Sequence, residues 1–288
     1  MTKIEDSDLS QEPVARILQP FVAGVPNLRN YAKSVIERKD FIVELSRAER
    51  NVEQLDTFFG RLWNLISPLL SAGIYFVFLY VVQGGSSGAA TFLNLVAGIF
   101  VFEFISTVAA RCSWSIVGAS GLISNTYFPK LVLPAASLYT ALILFFPSLI
   151  IYGLFHLGLG QSLSPAMLQA VPAFVLIVIF SMGLGMFVAT AQVYFRDTNA
   201  LIPFLMRMLM FTAPVLYFAE QAKELLGGRL IAIVNPLFCM IEIFSDSLSR
   251  GSSFDVWTWV IATCWSLAMF VIGFVFLVRR EGEFAARI

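Results

Sequence analysis

Apolar runs of about twenty residues, separated by short polar punctuation, fill the chain from residue 62 onward. Six of them, at 62–82, 92–110, 131–157, within 166–195, 199–218 and 256–278, carry at most one charge each. A helix of twenty residues rises about 30 Å, enough to cross a bilayer. A further apolar stretch, 230–244, is shorter and is broken by Asn235-Pro236, so it reads as re-entrant or interfacial. Upstream the pattern changes. Over 28–56, Tyr31, Val35, Ile36, Phe41, Ile42 and Leu45 recur at helical spacing among Arg38, Lys39, Glu44, Arg47, Glu49 and Arg50. That spacing predicts an amphipathic helix lying in the membrane interface. Residues 1–27 are polar and contain Pro13, Pro20 and Pro26, which predicts a flexible cytoplasmic tail. The expected fold is therefore all-α and integral to the membrane. It consists of a tail at 1–27, an amphipathic interfacial helix at 28–56, and a domain at 57–288. That domain has six transmembrane helices, with a re-entrant external region between helices 5 and 6.

Composition agrees. With 58% apolar residues, 13% charged residues and a mean hydropathy of +0.80, a soluble domain of 288 residues is excluded. The net charge of zero argues against nucleic acid as a partner. Cys112, Cys239 and Cys264 are far apart and odd in number, and read as small packing residues rather than a disulfide framework or metal site. His156 has no second ligand nearby and reads as a hydrogen-bonding residue; Asp6-Ser7-Asp8 reads as solvated charge, so no metal is expected. Gly183, Gly185 and Ala189 form a small-residue face suited to close helix packing. Fifteen of the 19 Lys and Arg fall on one side of the six runs and three on the other, which places both termini in the cytoplasm.

Two charges lie near mid-membrane. Glu103 sits in the second run and Arg207 in the fifth, each about 16 Å deep from opposite faces. Ionisable groups at that depth are expensive and seek a partner or water. They either pair with each other, within one copy or across two, or Arg207 faces a polar path while Glu103 is protonated between helices. Pro214 breaks the last turn of the fifth run, which marks that segment as lining something.

The punctuation carries a resemblance. Gly60, Trp63 and Pro68 form a G-x-x-W-x-x-x-x-P before the first run, and Phe128-Pro129 with Leu133-Pro134 an F-P-x-x-x-L-P before the third. Phe195-Arg196-Asp197, Pro214-Val215-Leu216-Tyr217 and Asn235-Pro236-Leu237 follow in order. Together, over 60–237, they resemble the ABC-2 type exporter permeases, and among these the polysaccharide exporters for O-antigen, capsule, teichoic acid or galactan. Two features depart from that pattern: Arg38-Lys39-Asp40 lies further upstream than the family's Arg-Asp element, and Phe244 is followed by Ser245 rather than Arg.

The resemblance implies a homodimer in the bacterial cytoplasmic (inner) membrane, paired with two copies of a separate ATPase that binds the ATP and Mg. It also implies a lipid-linked glycan substrate moving outward between the copies, along the first and fifth spans. The chain itself has no Gly-Lys dipeptide and so no P-loop; it is expected to be a transporter subunit without a cofactor of its own. The expected path residues are Trp63, Tyr75, Phe76, Tyr80, Glu103, Phe204, Arg207, Phe211, Tyr217 and Phe218. A short helix in the 112–127 loop, with Ile116, Val117, Ser120, Leu122 and Ile123, is expected to dock on the ATPase. Two other readings are open: a permease for a drug or lipid, and a membrane enzyme acting on polyprenyl phosphates. The second needs paired carboxylates that the loops lack.

Overall fold

A computed structural model of the chain describes residues 28–54, 62–82, 88–217, 219, 229–251 and 256–288. The tail at 1–27, Arg61 and Phe218 lie outside these residues. The helices are α1 (Leu28–Ile36), α2 (Lys39–Gln54), α3 (Trp63–Val82), α4 (Ala89–Ser115), α5 (Ser120–Asn125) and α6 (Val132–Gly158), then α7 (Ala170–Tyr194), α8 (Thr198–Thr212), α9 (Arg229–Val234), α10 (Phe238–Ser249), α11 (Val256–Arg280) and α12 (Phe284–Arg287). No strand occurs among the described residues. The stretches built on α4, α6, α7 and α11 are long and apolar enough to cross a membrane, and α3 and α8 contain shorter apolar helices. The molecule is a multi-pass helical membrane protein.

The core is centred on α4. A helix that is apolar around most of its circumference has little to offer water, so its neighbours must surround it. Accordingly α4 touches α3, α6, α7, α8 and α10, and most of its length is buried. Phe104 of α4 meets Phe145 of α6 and Phe174 of α7 at ring-centroid distances of 5.2 and 5.5 Å, and Phe174 meets Phe244 of α10 at 6.1 Å. Such ring pairs each contribute about 1 kcal/mol beyond their buried area. The most extensive helix contact joins α7 to α11. There small residues allow the close approach: a Cβ on Gly183 would strike the backbone of Met269 and Phe270, and one on Gly273 would strike Gly183. Gly185, two residues on, points the opposite way and lies against the side chain of Cys112 of α4, so the small residues serve two separate crossings rather than the single face expected.

Two segments depart from the expected boundaries. The fifth run is not helical to its end. α8 stops at Thr212, and Ala213 is extended, because the residue before a proline is pushed out of the helical region. Residues 213–215 then pass beneath α4, where a Cβ on Gly98 would lie 3.3 Å from the Val215 Cα. The amphipathic segment is two helices with a break at Glu37-Arg38. Its second half, α2, packs on α6 through a polar face that the apolar spacing had turned outward. The Glu49 carboxylate accepts from the Ser137 hydroxyl at 3.1 Å and from the Thr140 hydroxyl at 2.9 Å.

Between α8 and α11 the chain forms a hairpin of α9 and α10. It turns at Asn235-Pro236, where the Asn235 side chain accepts from the Leu237 N–H at 2.9 Å. The Trp265 indole, nine residues into α11, donates to the Ile233 carbonyl at 2.9 Å. The turn therefore lies about 14 Å in from the start of α11. From there α10 runs back to Gly251, which has a φ of +63° and leaves no room for a Cβ against Ser164.

Candidate functional site

Three regions hold the residues singled out by the sequence. The first is a cavity of about 400 Å³ walled by Trp63, Ser67 and Pro68 of α3, Phe100, Glu103, Phe104, Thr107 and Arg111 of α4, and Ala141, Leu144, Phe145 and Ser148 of α6. The α4 residues recur every three or four positions, so one stripe of that helix faces it. Pro68 denies α3 one backbone hydrogen bond beside this space. Glu103 thus reaches a polar recess.

Arg207 is exposed on α8, and no ion pair joins it to Glu103 among the described residues. The two residues nonetheless stand at nearby levels along the bundle. Ser113 of α4 donates to the Asn199 side chain of α8 at 2.9 Å, and Gly98 meets Val215, which sets the antiparallel register of the two helices. In that register Arg207 stands level with residues 105–106, within about one turn of Glu103. The two charges share a level along the bundle and face different ways.

The second region is the outer surface of α3 and α8. Tyr80 on α3 and Phe204, Arg207 and Phe211 on α8 are exposed, together with Leu70, Ile74, Val77, Phe78, Leu201, Leu205 and Met208. Tyr75 and Phe76 are half-buried instead; Phe76 packs edge-on against Phe92 at 4.9 Å, and Phe92 against Phe155 at 5.4 Å. Tyr217 is half-buried, and its hydroxyl donates to the Phe211 carbonyl at 3.4 Å. At the foot of this surface, the buried Gln192 holds the Phe195-Arg196-Asp197 turn. Its amide donates to the Arg196 carbonyl at 2.8 Å and accepts from the Asn199 N–H at 2.7 Å. Above it, the Asn235 amide donates to the Thr212 hydroxyl at 2.9 Å, so two motifs far apart in sequence meet where α8 breaks.

The third region is the segment after α4. A short helix forms there as expected, preceded by a tight turn at Val117–Ala119. Ile116 and Ile123 are buried in a cluster with Phe128, Val132, Leu133, Met186, Leu277 and Phe284, while Val117 and Leu122 pack against its edge. The apolar side therefore faces the protein's own core. What the segment offers outward is Trp114, Gly118, Gly121, Ser124, Asn125 and Tyr127, the last 83% exposed.

His156 is buried, with Nε2 3.4 Å from the Ser162 carbonyl. No group of three or more metal-ligating side chains occurs among the described residues. Cys112 and Cys239 are buried and Cys264 is exposed, all as free thiols. Sequence reasoning missed Gln192, Glu49 and Glu281, which hold joints rather than line surfaces. A buried amide three residues before the turn was the available signal for Gln192.

Comparison with known proteins gives a consistent picture. No protein-family model matches the chain. The chain is 24% identical over 241 residues to an O-antigen export system permease protein RfbA of Klebsiella pneumoniae, covering 80% of this chain and 91% of that protein. A second RfbA of Klebsiella pneumoniae is 27% identical over 215 residues, and one of Myxococcus xanthus 24% identical over 212; each covers 74% of this chain and 81% of the relative. The resemblance carried by the motifs, to ABC-2 type permeases of O-antigen exporters, thus extends over most of the chain.

Proposed function

We propose that this chain is the permease subunit of an ATP-driven ABC-2 type exporter that moves a lipid-linked polysaccharide from the cytoplasmic side of the inner membrane to the outside. The observation that carries the reading is the long similarity to O-antigen export permeases, supported by the hydrogen bonds that hold the Arg196-Asp197 and Asn235-Pro236 motifs at the two ends of α8. On this reading the end of the bundle that carries Arg38, Arg111, Lys130, Arg196, Arg279, Arg280 and Arg287 is cytoplasmic, by the excess of Lys and Arg on that side. The α9–α10 hairpin is re-entrant from the outside. The shorter α3 and α8 complete six spans, and α1–α2 lie at the cytoplasmic interface.

Two copies associate through the exposed faces of α3 and α8. A glycan passing between them meets Tyr80, Phe204 and Phe211 as flat apolar platforms, which hold sugar rings without fixing one geometry. Arg207 lies on the same face and is placed to meet the phosphate of the lipid carrier. Glu103, in the recess behind α3, is hydrated rather than paired. A separate ATPase docks on the outward side of α5. The test is depletion of the protein in cells that make the glycan. Lipid-linked glycan should accumulate on the cytoplasmic face, and surface glycan should fall. Normal surface glycan after depletion would favour a drug or lipid substrate.

A further inference from the structure

The basic end of the molecule holds a junction in which the motif before α6 meets two residues outside every motif, Glu281 and Tyr31. Glu281 stands in the turn just past α11, and each of its carboxylate oxygens takes one short bond. Oε2 accepts from the Tyr31 hydroxyl of α1 at 2.7 Å, and Oε1 accepts from the backbone N–H of Lys130 at 2.7 Å. Lys130 lies at the entrance of α6, where the positive end of the helix dipole favours a carboxylate. Burial holds the Tyr31 phenol well above its ordinary pKa, and the Glu281 charge adds to that, so the hydroxyl stays a donor.

The same junction gathers other parts of the chain. The Phe128 ring carries the Lys130 ammonium at 4.2 Å and meets Phe41 of α2 at 5.8 Å. Phe284 is fully buried in the cluster that receives Ile116 and Ile123, and α12 touches α5. Glu283 accepts from the Tyr194 hydroxyl at 2.6 Å, and the Arg287 guanidinium lies 4.4 Å from the Tyr194 ring centre. Residues 281–288 therefore reach the entrance of α6, the exit of α7, α1 and α5.

The link from α5 to α6, residues 126–131, is not helical. A push on α5 delivered through a slack link would bend the link and leave α6 where it was. Glu281 removes that slack by fastening the link to two other elements. We infer that Glu281 is a positioning residue of the exporter, clasping the link from α5 to the entrance of α6 to α1 and α11 so that a push of the ATPase on α5 carries through to α6 instead of bending the link. The inference rests on the exporter reading.

The test measures glycan exported per ATP hydrolysed by the membrane-reconstituted permease–ATPase complex, at equal amounts of assembled complex. Wild type is compared with Glu281→Gln, Tyr31→Phe, the double variant, and Glu37→Gln as a control at the exposed Lys33–Glu37 pair. Tyr31→Phe removes one hydroxyl and keeps the ring against Phe274. Glu281→Gln should lower export per ATP about tenfold, the factor that one lost hydrogen bond to a charged group corresponds to, while hydrolysis continues. Tyr31→Phe should lower it by a smaller factor, and the double variant should be no worse than Glu281→Gln alone. An unchanged ratio in both single variants, or an equal fall in the control, overturns the inference. If Glu281→Gln does not assemble, Tyr31→Phe decides by itself: an unchanged ratio overturns the clasp. A failed exporter reading shows itself differently, as a wild-type complex that exports no glycan.

Discussion

Glu103 and Arg207 illustrate how a charge in a membrane protein is accommodated. Moving either alone into hydrocarbon costs at least about 3 kcal/mol. On the reading proposed above each avoids that cost by its own route: Glu103 through the recess beside α3, and Arg207, exposed on a single copy, through the path between two copies. Because they share a level along the bundle but not a direction, the losses from Glu103→Gln and Arg207→Gln should add within about 0.5 kcal/mol when export rates are converted to free energies. A double variant markedly less impaired than that sum would reveal a pair formed across two copies. Glycine gives a second residue-scale prediction. Gly183→Ala forces α7 from α11 and should destabilise the protein by about 1–3 kcal/mol in a detergent unfolding titration. Gly153→Ala, where an added Cβ meets nothing within 4 Å, should stay within about 0.5 kcal/mol.

Among the elements, α5 shows why an apolar side does not by itself mark a docking face. Ile116 and Ile123 are spent on the protein's own core, and the side left outward is polar and rich in glycine. The informative substitution is therefore Gly121→Arg, since a Cβ there meets nothing within 4 Å. It should leave folding intact and lower export per ATP about tenfold if this face meets the ATPase, a loss equal to about 1.4 kcal/mol of coupling. Wild-type coupling in Gly121→Arg would place the contact elsewhere. Ile123→Arg, by contrast, buries a charge in the cluster and should reduce folded protein several-fold, by about 3 kcal/mol or more.

The whole molecule puts both described chain ends, α5, and the joints of α6, α7 and α11 at one basic end, with the α9–α10 hairpin opening toward the other. If the basic end is cytoplasmic, a cysteine at the exposed Ser162 should react with an impermeant thiol reagent only from outside, and one at the exposed Ser124 only from inside. The background must lack Cys264, which is exposed. Labelling of residue 124 from outside would invert the topology and, with it, the direction assigned to transport.

Hydropathy by itself determined the class, the helical content and the approximate place of the long apolar helices, because a bilayer demands about twenty apolar residues whatever they pack against. Local chemistry was legible too: Pro214 ended α8 at Thr212, two residues before it, and small residues marked the α7–α11 crossing. Matching the depths of Glu103 and Arg207 needed only the helical rise. Direction did not follow from these rules. Glu103, Thr107 and Arg111 recur every four residues and mark the stripe of α4 that faces the recess, but nothing in the pattern told which helices would wall it, and the polar residues of α2 gave no hint that Ser137 and Thr140 of α6 awaited them. The partners of Glu281 lie 250 and 151 positions away in the chain. A bond over such a separation exists only once the helices between have packed, which is why the tertiary structure alone decided where the chain's two ends would meet.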